Sequence, residues 1–175
     1  MPIRRAWRRG RVAALCGLAA LLLAPGAGTA QEPAQDIAPD RAPDRLYLPL
    51  ASRHIGLDPA DFGRTRWNEV NPGALLVWED RFLTLDYGVG AFLNSFDEIS
   101  ITALVGKTWE IGQDANIGAI LQFSDYRKNS EFFPVALGSV ALIPALQLRY
   151  RNVFALAQPG YQGGVLAAGI TFALR

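Results

Sequence analysis

From Leu46 to the end of the chain, hydrophobic and polar positions alternate with a period of two. Between Arg81 and Leu93 the odd positions are Leu83, Leu85, Tyr87, Val89, Ala91 and Leu93, against Phe82, Thr84, Asp86, Gly88, Gly90 and Phe92. Ile99–Trp109 sets Ile99, Ile101, Ala103, Val105 and Trp109 against Ser100, Thr102, Leu104, Gly106 and Thr108. Ile117, Ala119, Leu121 and Phe123 share one face, and so do Leu166, Ala168, Ile170, Phe172 and Leu174. Side chains of a strand point alternately to its two faces, so the pattern predicts strands with one greasy face and one small or polar face. No 3.6-residue period is sustained, and no exact repeat occurs.

Strands are expected at 46–55, 72–79, 82–93, 98–110, 115–124, 133–142, 145–155 and 163–174. The turns at Asp80-Arg81, Ile111–Asp114 and Ile143-Pro144 are short, and the connections 56–71, 125–132 and 156–162 are longer. A soluble sandwich also alternates. The recurrence of the greasy face, the strand length and an export signal favour an all-β fold: an eight-stranded antiparallel transmembrane β-barrel of the bacterial outer membrane. An even strand count returns both ends to the periplasm, with the long loops outside. Such a lumen is filled by side chains or holds one small ligand, and it is not an open pore. Tyr47, Trp67, Trp78, Trp109, Tyr126 and Tyr161 fall near strand ends, where aromatic girdles would place them; core packing is the other reading.

Charge divides the chain in two. Over 175 residues, 17 basic and 16 acidic side chains nearly cancel. Residues 1–30 hold Arg4, Arg5, Arg8, Arg9 and Arg11 and no acid, leaving 17 − 5 = 12 basic against 16 acidic residues, a net of −4. A basic start, an apolar run from Val12 to Ala24 and small residues at Gly28 and Ala30 read as a signal peptide over 1–30. The run is shorter than the roughly 20 residues a spanning helix needs. Residues 31–45, rich in proline and acid, read as a flexible periplasmic lead-in. Cys16 is the only cysteine, so the mature chain has no thiol chemistry or disulfide; no metal site, cofactor or nucleic-acid footprint is expected.

The strand order makes a prediction about chemistry. The first strand ends in Ser52-Arg53-His54 and the third in Asn94-Ser95, so the only histidine and a turn serine should share the outer rim. Next-but-one strands lie about 10 Å apart. The loop carrying Arg64, Arg66, Asn68 and Glu69 joins them. A histidine near a hydroxyl can act as its general base; a lone rim histidine also serves structure alone.

Several segments in order resemble the lipid A palmitoyltransferase family of outer-membrane enzymes. These are Leu46-Tyr-Leu-Pro49 followed by His54; Arg66-Trp-Asn68-Glu69 followed by Gly73; Phe92-Leu-Asn94-Ser95-Phe96; and Phe133-Pro134-Val135 with Ile143-Pro144. The resemblance spans about residues 46–175. It implies a monomeric barrel, without cofactor, that moves a palmitoyl chain from the sn-1 position of a phospholipid to a hydroxyl of lipid A in lipopolysaccharide. It also implies His54 and Ser95 as catalytic residues, with Asn94 where the family has aspartate. Asparagine orients by hydrogen bonding but holds no charge, and Asn94→Asp is expected to preserve or raise activity. Arg66, Asn68 and Glu69 match a substrate-binding loop motif. Gly106, with Gly88 beside it, matches the floor of an acyl-chain pocket, although glycines also let a small barrel bend. Pro49, Pro134 and Pro144 mark weak seams or simply end strands; for Pro144, in a short turn, the second is expected. Arg53, Arg64, Arg66 and Arg151 meet phosphates or water, and Arg149 points into the barrel. The alternatives are a non-enzymatic small outer-membrane barrel and a lipid A deacylase; the missing histidine near the chain's end argues against the latter.

Overall fold

The structure, a computed structural model, describes residues 42–160 and 162–175. The leader over 1–30, most of the lead-in and Tyr161 lie outside the described residues. Eight strands form the barrel: β1 (Arg45–Ile55), β2 (Gly73–Trp78), β3 (Asp86–Leu93), β4 (Ile99–Glu110), β5 (Ala115–Asp125), β6 (Val140–Tyr150), β7 (Val153–Pro159) and β8 (Gly164–Ala173). Each pairs antiparallel with its neighbour in sequence, and β8 pairs back onto β1 to close the sheet. A two-residue strand, Ala136–Leu137, folds back on the start of β6.

The alternation decides what faces where. Along β6, Ala141, Ile143, Ala145, Gln147 and Arg149 are buried, while Leu146, Leu148 and Tyr150 are exposed. The same holds around the sheet: Leu76, Val89, Ile101, Ile117 and Leu166 face outward, and Ser100, Thr102, Gln122, Ser124 and Thr171 are buried inside. A water-soluble sandwich would distribute these residues the other way.

The sixth and seventh strands differ from expectation. Instead of 133–142 and 145–155 with a turn at Ile143-Pro144, the chain runs unbroken through Pro144 from Val140 to Tyr150 and turns at Arg151-Asn152. Arg151 takes a φ of 52°, as tight two-residue hairpins require. Proline resembles a turn signal in sequence, yet it is tolerated in a strand on a side that needs no donor. That side is identifiable. Leu142 N–H points away from β5 to Val135 O (3.0 Å), and Pro144, two residues on, lacks an N–H on that same side. The β6–β7 ladder accordingly covers only Leu146↔Ala157 to Tyr150↔Val153.

β3 also starts later than expected. Asp80, Leu83 and Thr84 have positive φ, Arg81 N donates to Leu85 O, and Asp86 Oδ1 accepts from Asp80 N at 2.9 Å. These bonds wind 79–85 into a wider turn than Asp80-Arg81 alone. The girdle expectation is likewise only half met. Trp78 and Trp109 lie on the outer face, whereas Tyr47, Trp67 and Tyr126 pack inside.

One end of the barrel, here the lower, holds the 79–85, 111–114 and 151–152 turns and Asp44 beside Arg175. The upper end holds the loops 56–72, 94–98 and 126–139, with Gly160, Gln162 and Gly163 between the last two strands. The lower lumen is filled by a polar network. Arg149 donates to Glu79 (2.5 Å), Tyr47 Oη (3.0 Å) and Asn116 Oδ1 (3.1 Å), and Arg45 also reaches Glu79 (3.2 Å). Thr108 donates to buried Asp86 beside it. Arg149 therefore points inward, as its parity predicts.

Candidate active site

Above this plug a cavity of about 200 Å³ opens toward the upper loops, and His54 and Ser95 both line it. The strand order alone carries them to the same rim: β1 ends beside His54, and β3 ends one residue before the Asn94-Ser95 turn. No hydrogen bond joins them among the described residues. The His54 ring lies 4.2 Å from Trp67, nearly parallel to it at 8°, and its Nδ1 is buried with no hydrogen-bond partner among the described residues. An imidazole held flat against an indole keeps one ring plane, and an unpaired buried nitrogen is an uncommitted acceptor or donor.

The loop after β1 ties the two residues together. Trp67 is fixed by its own Nε1–H to Leu57 O (3.1 Å), and its other edge meets Phe96, next to Ser95. Asn68 N donates to Ser95 O at 3.3 Å, and its side chain donates to Asn94 O at 3.4 Å. Arg64 donates to Phe96 O and pairs with Asp97. Asn71, buried, gives its amide hydrogens to Asn68 O and Leu93 O and accepts from Ser52 Oγ. That residue joins the end of β1 to the end of β3, and sequence reasoning missed it. An asparagine beside proline in a loop resembles an ordinary turn former.

Asn94 holds the turn together. Its Oδ1 accepts from Phe96 N (2.8 Å) and Glu98 N (3.1 Å), and its Nδ2 donates to Ser100 Oγ (2.9 Å), at only 1% exposure. Ser100 in turn donates its one hydroxyl hydrogen to Asp125 O (2.6 Å). Both ends of the carboxamide are thus used within the turn, and no hydrogen bond runs from it to His54 among the described residues. For Asn94→Asp this sets the turn against the expectation from sequence, because a carboxylate has no hydrogen to give Ser100.

The expected binding residues separate into two groups. Arg66 is exposed on the rim, Glu69 pairs with Arg53 (3.0 Å), and Asn68 is occupied within the loop. Gly106 and Gly88 face inward, but neighbours fill the space above them. A Cβ on Gly106 would stand 2.6 Å from Ala119 O and 3.0 Å from Ile120 Cγ1; one on Gly88 would stand 2.9 Å from Leu104 Cγ. Ile120 and Leu104 line the cavity at that depth.

Phe62, Trp67, Phe92, Phe96, Tyr126 and Phe132 crowd the upper lumen with ring-to-ring contacts. Burial pushes the Tyr126 hydroxyl pKa up, so it stays protonated. The cavity also leaves the barrel sideways. Leu142, Ile143 and Pro144, three consecutive residues of β6, all line it, as do Gln158 and Pro159 of β7. Consecutive strand residues face opposite sides, so the cavity reaches the wall at the β6–β7 seam, in the stretch of β6 between the part covered by residues 135–137 and the first β6–β7 pair, Leu146↔Ala157. A second interruption lies between β1 and β2, whose continuous ladder ends at Tyr47↔Leu75, below the bulge between Pro49 and Ala51.

No protein-family model and no curated protein matches this chain.

Proposed function

We propose that the protein is an outer-membrane acyltransferase that moves a palmitoyl-type chain from a phospholipid to a hydroxyl of lipid A. The observation that carries this reading is the unpaired His54 Nδ1, set with Ser95 on a largely apolar cavity that opens through the barrel wall. An apolar outer belt on a closed barrel suits a bilayer, and a seam through that belt admits a chain directly from the membrane. His54 takes the proton of the attacking hydroxyl, Ser95's own or the acceptor's, as that oxygen bonds the acyl carbon. The proton passes to the departing glycerol oxygen, so one ester forms as another breaks; where Ser95 attacks first, the lipid A hydroxyl then opens the acyl-serine ester in a second such exchange, the proton returns to the Ser95 oxygen, and no cofactor is required. Arg66 and its neighbours on the rim meet the acceptor's phosphates.

A second reading, a small barrel with no chemistry, is favoured by the absence of a His54–Ser95 hydrogen bond. One experiment separates the two. The full chain is expressed in outer membranes, and lipid A is examined by mass spectrometry. A gain of one acyl chain, lost in His54→Ala and Ser95→Ala, supports the proposal. A loss of a chain indicates deacylation. No change sinks the enzymatic reading, and full transfer by either variant sinks the site.

A further inference from the structure

Polar side chains are few on the upper lumen wall, and two of them form a pair at the seam. Gln158 Nε2 donates to Gln122 Oε1 at 3.2 Å, from β7 to β5, across the inner side of β6. Gln122 is itself anchored, donating to Ser124 Oγ (2.7 Å), which shares a hydrogen with Thr102 (2.8 Å). Gln158 is the residue of β7 that follows the last β6–β7 pair, Leu146↔Ala157, so it stands where the wall opens. It also shares a ladder row with His54, because both pair with Val165 of β8. Two strand spacings amount to about 10 Å, a gap that the two inward side chains narrow. An amide nitrogen carries two hydrogens; Gln122 takes one, and the other has no acceptor among the described residues.

We infer that Gln158, held in place by Gln122, binds the ester carbonyl of the lipid that enters through the β6–β7 seam. This rests on the proposed function and names the part of the donor the seam recognises. A lipid sliding sideways into an apolar cavity leaves its tail content but strips water from its ester carbonyl. An acceptor desolvated without a partner is costly, and one placed N–H removes that cost. The chain beyond the carbonyl then lies in the apolar cavity, and the ester lies in the row of His54.

The test reads binding, not turnover. The full mature chain carrying Ser95→Ala is placed in detergent micelles with a pyrene-labelled phosphatidylcholine. Displacement is compared for phosphatidylcholines of equal chain length with an sn-1 ester or an sn-1 ether, which lacks the carbonyl. The ester should bind about three- to tenfold more tightly. Gln158→Leu should abolish the difference and leave ether binding unchanged. Gln158→Glu, which keeps the shape and loses the N–H donors, should do the same and guards against a folding defect in the leucine variant. Equal binding of ester and ether by the Gln158 protein, or a preference that survives both substitutions, overturns the inference. Ester preference through Gln158 without lipid A acylation would end the proposed function and leave this inference standing. Acylation with a preference independent of Gln158 would do the reverse.

Discussion

The upper and lower halves of this barrel are built from the same alternating pattern and have become different materials. Below, the β1–β2 and β6–β7 ladders are continuous, and the lumen is packed with Arg149, Glu79, Arg45, Asn116 and Tyr47 in one hydrogen-bonded network, with Asp86 held separately by Thr108. Above, both ladders are interrupted, and the lumen is lined by aromatic rings, apolar side chains and a few amides. The outward tryptophans and tyrosines of the strands repeat the division: Trp78, Tyr87, Trp109 and Tyr150 lie at the lower ends, while the outward aromatic near an upper end, on β5, is Phe123. The end where the wall is interrupted is thus opposite the end where the cohesion is concentrated. Stability should therefore depend on the lower half and chemistry on the upper half, and substitutions can break or sharpen that division.

The largest effect should come from the chemistry itself. His54→Ala and Ser95→Ala should each lower acyl transfer by about a thousandfold or more, by the scale of removing a general base or a nucleophile. The unfolding midpoint in urea should stay close to that of the parent. A variant that lost transfer together with a large part of its stability would blur the two halves.

Arg149→Met should do the opposite. It leaves Glu79 and Tyr47 in the lower lumen without their main partner, a change that costs about 3 kcal/mol in comparable buried pairs; Arg45 remains beside Glu79 and moderates the loss. Urea unfolding in detergent should shift to lower concentration, while transfer per folded molecule is unchanged. Loss of transfer without loss of stability would show that the plug reaches the site.

Asn94→Asp separates what the chain alone shows from what needs three dimensions. By sequence it restores the carboxylate of the family pattern and should preserve activity. By structure it removes the donor to Ser100 in a buried turn and should cost about 1–3 kcal/mol, the scale of one unsatisfied buried group. Transfer and the unfolding midpoint should fall together. If transfer rises and stability holds, the turn tolerates the charge, and the sequence-based expectation stands.

That contrast marks how far the residues can be read. Strand count, inward parity and the meeting of His54 with Ser95 at one rim follow from a period of two and an up-down order, which are local. Arg149 was legible for the same reason. The turn at Ile143-Pro144 was misread because a proline's missing donor matters only relative to which neighbour strand is present, and no sequence window contains that. Asn71 and Gln158 carry no motif. For Gln158 a signal did exist, since it joins Gln122 and Gln147 at inward parity among apolar positions. The leader and residues 31–41 of the lead-in lie outside the described residues, while its last residues, Asp44 and Arg45, are tied to the lower end of the barrel.

The smallest expected effect tests the cause of the seam. Pro144→Ala supplies an N–H on the side that faces β7, where Leu142 already points its own N–H. If the missing donor keeps this seam apart, the alanine should let the ladder extend upward past Leu146↔Ala157. Hydrogen exchange would then show a protected amide at residue 144 itself, while Ala145, whose N–H faces β5, should not change; stability should rise by about 0.5–1.5 kcal/mol for the one bond formed. Transfer should fall several-fold, about the reach of that same bond expressed as a rate, because the chain must now part a paired wall. An unchanged rate with an extended ladder would show that the donor enters elsewhere, and the interruption between β1 and β2 above Tyr47↔Leu75 would be the remaining way in.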